Sequence, residues 1–116
     1  MIMLRDELSG YKKPSFIPGD IVRHVRYHYR GVVAACDFMC MADENWYQSN
    51  KTQPDKNQPW YHVLVHESGS ITYPAQSSLE LDESGEKVIH PLLSQFFTGI
   101  KDGRYQRNEV PWPEIN

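Results

Sequence analysis

The chain has 116 residues, 40% of them apolar and 23% charged, which is one domain's worth of material with enough apolar content to bury a core and excludes a disordered chain. Its net charge of -3 runs against a protein whose main task is gripping phosphate backbones, since such domains are usually basic. Two cysteines, Cys36 and Cys40, exclude a disulfide scaffold. No apolar run reaches bilayer length, and Asp6 and Glu7 in the opening residues exclude a signal peptide, so a soluble protein of a reducing, cytoplasmic compartment is expected.

Residues 1–15 read as an N-terminal arm, with Met1, Met3, Leu4 and Leu8 suited to one helical turn that Gly10 and Pro14 break. The ordered domain is expected over 16–100 and a polar tail over 101–116. Pro18-Gly19-Asp20 is a turn signal, followed by a hairpin of IVRHVRY, residues 21–27, and YRGVVAACDF, residues 29–38. Alternation puts Ile21, Val25 and Tyr27 on one face with Arg23, and Val22, His24, Arg26 and His28 on the other, so neither face is cleanly apolar.

Residues 39–59 form a long connection, with a helical turn near Ala42 to Gln48 that carries Trp46 and then a polar loop with Pro54 and Pro59. WYHVLVHE, residues 60–67, is the clearest strand. Ser68-Gly69-Ser70 turns it into ITYPA, residues 71–75, where Pro74 marks an edge. LEL, residues 79–81, closes the set. A short amphipathic helix is expected from His90 to Phe97, and Tyr105, Val110 and Trp112 are expected to dock the tail. About five short strands with one or two short helices make a mainly β chain, closest in description to a small SH3-like β-barrel.

Pro18-Gly19-Asp20-Ile21-Val22-Arg23-His24, Tyr29-Arg30-Gly31-Val32-Val33 with Asp37, Trp46, Gln58-Pro59-Trp60-Tyr61-His62-Val63-Leu64-Val65, and Tyr73 with Ala75-Gln76 and Leu79 follow one another in an order that resembles the YccV-like, or HspQ, family, often labelled the hemimethylated-DNA-binding domain. The continuation through His90-Pro91 to Phe97 resembles the longer form at the end of certain F-box proteins. The family usually has glycine where His28 stands, which removes the ordinary means of making a tight turn over Tyr27–Arg30. It often has glycine-tryptophan where Ala35 and Cys36 stand, and proline where Phe38 stands. The resemblance implies an SH3-like barrel without enzymatic activity. It implies either binding of hemimethylated DNA or a role in stress response and protein quality control, modulating an ATP-dependent protease.

Two surfaces carry these alternatives. Residues 11–36 hold five basic residues and one acid, while residues 37–116 hold six basic and twelve acidic ones. Arg23, His24, Arg26, His28 and Arg30 therefore form the nucleic-acid candidate, with Tyr27 and Tyr29 available for stacking; the alternative is a solvated hairpin paired with the chain's own acids. Trp46, Tyr47, Trp60, Tyr61 and Tyr73 form the protein-partner candidate, in which Trp60 and Tyr61 are expected in the core and Trp46 in a groove. Cys36, Cys40, His62 and His66 lack the paired spacing of a zinc site and are expected to bind no metal. No nucleophile elbow, phosphate loop or zinc-protease helix is present, so the chain is read as a non-enzyme with no cofactor and no small-molecule substrate. The edge at Pro74 and the helix from Leu92 to Phe97 are the surfaces available for self-association.

Overall fold

The computed structural model describes residues 12–113. The proposed helical turn over Met1 to Leu8 lies outside the described residues.

Seven strands form two antiparallel sheets. The larger has β1 (Ile21–His24), β2 (Arg30–Asp37), β3 (Trp60–Val65), β4 (Ile71–Thr72) and β5 (Leu79–Leu81) in the order β4-β3-β2-β1-β5. β6 (Phe97–Lys101) and β7 (Arg104–Arg107) make a separate ribbon. The helices are single short pieces, α1 (Glu44–Ser49) and α2 (Leu93–Phe96). The expected mainly β architecture is present, though not as the closed SH3-like barrel: a 3-10 turn at Gln76–Ser78 carries the chain from edge strand β4 back to β5, which pairs with β1. No ladder joins β4 to β5 among the described residues, so the sheet curls without closing. No helix among them is long and apolar enough to cross a membrane.

Both faces of the sheet are buried, which explains why the sequence shows no clean alternation. Val22, Val33, Tyr61 and Val63 pack with Phe16 and Leu79 on one face. Ile21, Val32, Ala34 and Leu64 pack on the other, against Val88, Phe96, Phe97 and Tyr105. Val32 and Ala34 on one side and Val33 on the other serve the two layers by simple alternation, and a bulge between Val33 and Ala35 shifts the register of β2 against β3.

The second layer corrects the expected boundary at residue 100. The segment expected as tail continues the ribbon, and Tyr105 is buried, its hydroxyl accepting from the Val88 amide at 2.9 Å. Phe97 meets Tyr105 edge to face with centroids 5.8 Å apart. Trp112 packs against this core as expected, whereas Val110 remains 41% exposed. Phe96 and Phe97 are spent on the chain's own core, so they offer no free apolar helix face for self-association.

Gly19 fixes the entry to β1. It has φ 104°, donates to the Val33 carbonyl at 2.8 Å and accepts from the Tyr105 amide at 3.0 Å; a Cβ there would collide with the Tyr105 carbonyl. β1 ends at His24, three residues before the expected end, because His24 to His28 turn back on themselves through an amide-to-carbonyl bond of 2.9 Å. Val25 and Tyr27 are consequently exposed rather than packed with Ile21. The tight turn survives without the family's glycine, since His28 itself takes φ 66°.

Candidate partner-binding site

The basic hairpin is largely tied into the fold. Arg30 Nε donates to Asp82 Oδ2 at 2.9 Å, with side-chain exposures of 15% and 8%, and its guanidinium also reaches the Glu86 carbonyl. Burial alone would raise the Asp82 pKa, but hydrogen bonds from Ser84 and Arg30 outweigh it and hold the carboxyl below its ordinary value. His24 is buried, and its Nδ1 accepts from the Arg26 and Tyr27 amides at 3.1 Å each. Burial, then the charges of Arg26 and His28, lower its pKa, which keeps the ring a neutral acceptor that builds the loop. Arg23 is paired with Glu80 at 3.4 Å in an exposed bridge. That leaves Arg26 as the exposed candidate without a side-chain hydrogen-bond or ion-pair partner among the described residues, its guanidinium 5.7 Å from the Tyr27 ring centre, while the exposed His28 has its Nδ1 3.4 Å from Arg23 Nη2.

The aromatic candidates divide between the two faces of β3. Tyr61 points into the core, where its hydroxyl donates to Gln76 Oε1 at 2.5 Å and accepts from the Phe16 amide; burial pushes its pKa up to about 12. Trp60 is also buried, as expected, but forms the floor of an outward-facing stack. Tyr73 lies beside Trp60 at 5.4 Å and His62 at 4.5 Å, and Trp112 continues the stack beyond His62 at 5.2 Å. Trp46 meets Trp60 and Tyr73 edge-on at 6.2 and 5.7 Å.

Local chemistry places Trp46. Asp43 caps α1 by accepting from the Trp46 amide at 2.8 Å. Tyr47 then anchors the following loop, its hydroxyl donating to the Gln53 and Pro54 carbonyls at 3.0 and 2.8 Å, under the Lys56 ammonium 4.4 Å above its ring. The Tyr73 hydroxyl donates to Asp37 Oδ2 at 2.6 Å and accepts from the Met41 amide. His62 Nε2 lies 3.3 Å from the same Asp37 oxygen.

Two open grooves of about 500 and 620 Å³ flank this stack. Both are lined by Trp46, Ile71, Thr72 and Tyr73, so they meet across edge strand β4. The first adds Tyr27, Tyr29 and Lys51 and, among the described residues, no carboxylate. The second adds Asp37, His62, Met41 and Trp112 and, among the described residues, no lysine or arginine. Trp46 and Tyr73 are thus groove residues, as one of the two sequence readings has it. Asp37, His62, Ile71 and Trp112 were missed; the signal open to a reader was the apolar run Phe38, Met39 and Met41 beside Asp37.

Cys36 and Cys40 are free thiols, and burial followed by the Asp37 charge pushes the Cys36 pKa up to about 11. His66 is engaged by Glu67 and by the Ile89 amide, each at 2.9 Å. Among the described residues no three His, Cys, Asp or Glu side chains gather where they could hold a metal ion.

Residues 14–104 match the family described as hemimethylated DNA-binding protein YccV like. The chain is 31% identical to F-box only protein 21 of Mus musculus over 119 residues, covering 97% of this chain and 19% of that protein. It is 32% identical to F-box only protein 21 of Homo sapiens over 102 residues, covering 83% and 16%. The chain therefore spans about a fifth or less of the length of these relatives.

Proposed function

This chain belongs to the YccV-like family, and we propose that it works as a non-enzymatic recognition module that holds an extended segment of a protein partner along β4. The observation that carries the reading is the double groove, continuous across Ile71 and Thr72 and walled by Trp46 and Tyr73. An edge strand presents unpaired backbone groups, and grooves on either side of it take alternate side chains of an added strand. The charge balance agrees. A net charge of -3 and a hairpin whose Arg30 and His24 serve the fold leave few contacts for a phosphate backbone. A module that holds extended segments is suited to presenting unfolded clients to a protease.

A DNA reading has the matched family's description, hemimethylated DNA-binding protein, in its favour, and one observation on the structure. Among the described residues the first groove has no carboxylate, carries Lys51, and has Tyr27 beside Arg26 at its margin, which suits an anionic strand with stackable bases.

The two readings part in an amide-resolved NMR titration with two probes. One is reduced, carboxymethylated lactalbumin, a permanently unfolded protein; the other is a hemimethylated DNA duplex. The protein reading expects the unfolded chain to shift the Thr72 amide and the Trp46 indole, with the duplex leaving them in place. Shifts by the duplex alone, centred on Arg26, Tyr27 and Lys51 and suppressed by salt, would replace it with the DNA reading.

A further inference from the structure

The two halves of the groove differ in charge and in rim. Among the described residues, Asp37 is the only Asp, Glu, Lys or Arg that lines the second half. Its two side-chain partners, the Tyr73 hydroxyl and His62 Nε2, both meet Oδ2. Oδ1 takes no hydrogen bond among the described residues, while the Asp37 side chain stays 30% exposed. A carboxylate oxygen left open in an aromatic-walled groove is an acceptor for a cation.

The rim is permissive where the floor is selective. Met41 lines this half and is 69% exposed; Phe38 at 69% and Met39 at 39% precede it in the chain and are likewise left uncovered by the fold. Methionine side chains adapt to apolar neighbours of varied shape. The acidic balance of the chain adds a weak general attraction for a basic segment.

We propose that this half of the groove holds the ammonium of a lysine side chain from the partner segment, with Nζ donating to Asp37 Oδ1, the methylene stem against Trp46 and Trp112, and a neighbouring apolar residue against Met41. The proposal rests on the protein-partner reading above and names the side chain it selects. Lysine fits better than arginine because a guanidinium fork wants two parallel acceptor oxygens, and Oδ2 is already engaged.

The test is a fluorescence anisotropy titration of the full chain with labelled seven-residue peptides of alternating threonine and valine. The central residue is lysine, norleucine, arginine or trimethyllysine, and NMR locates the contact. The lysine peptide is expected to bind about tenfold tighter than the norleucine peptide, the gain typical of a hydrogen bond to a charged group. Arginine and trimethyllysine are expected to bind more weakly than lysine, and Asp37→Asn to erase the lysine advantage. Should Asp37→Asn loosen the fold through Tyr73, the trimethyllysine arm on the unaltered chain asks the same question, because it keeps the charge and removes the donors. Norleucine binding as tightly as lysine while still shifting Trp46 would overturn the lysine assignment and leave the groove reading standing. No peptide shifting Trp46 or Thr72 would overturn both.

Discussion

The loop that joins β1 to β2 and the aromatic wall beside β4 spend their polar groups in opposite ways. In and beside the loop, two of the five basic candidates are turned to the fold's own use: Arg30 satisfies Asp82, and His24 holds the amides of Arg26 and Tyr27. In the wall, a locally unremarkable acid keeps one oxygen open, and Trp46 stays 36% exposed. Charge density along a chain is therefore a poor guide to charge at a surface, because a buried or half-buried ion pair is counted in the sequence and cancelled in the fold.

The sharpest way to break the comparison is Arg30→Ala. It leaves Asp82 nearly buried without its partner, and a loss of about 3 kcal/mol is expected by urea unfolding, with peptide affinity at saturating folded protein unchanged. If Arg30→Ala instead left stability intact and abolished binding, the loop would be the working surface. Trp46→Ala should do the reverse, weakening capture of the lysine peptide by about tenfold while costing only about 1 kcal/mol of stability, since α1 buries none of its residues fully. Equal losses in both measurements would make Trp46 a core residue.

Tyr73→Phe removes the hydroxyl that meets Asp37 and Met41, and a loss of about 1 kcal/mol is expected in thermal unfolding. His28→Gly addresses the loop alone. The left-handed backbone at φ 66° costs a histidine more than a glycine, so a gain of about 0.5 kcal/mol is expected.

Acid sharpens the contrast least but tests the cause. Burial holds the His24 and His62 pKa values below the ordinary 6.5. The unfolded chain then binds the extra protons more readily than the folded one, so the stability from the neutral rings is complete above that value and declines as pH falls below it. Thermal unfolding followed from pH 7.5 to 5 should show the decline, and His24→Asn should flatten it; a midpoint that rises on acidification would contradict the buried-neutral assignment.

Much of the sheet was legible in the residues. β-branched and aromatic runs at Ile21–His24, Arg30–Asp37 and Trp60–Val65 lie where the strands lie. So was the split of the aromatics, with Tyr61 in the core and Trp46 in the groove. What could not be read were partnerships at long range. Asp82 stands 52 positions from Arg30, and nothing local marks it as the acid that cancels that charge. The ribbon of β6 and β7 was hidden for the same reason: Tyr105 sits among polar residues, and its burial depends on a sheet face far earlier in the chain. Asp37 lay within a legible strand, but which of its oxygens stays open depends on Tyr73 and His62 arriving from β3 and beyond β4.

The ribbon's late position has a practical consequence for anyone who excises or transplants this module. Ile21, Val32, Ala34 and Leu64 wait for Phe97 and Tyr105 before one side of the sheet is dry. A cut made anywhere from Phe97 to Arg107 would hand the host an uncovered oily plate, and a fusion junction belongs beyond Trp112.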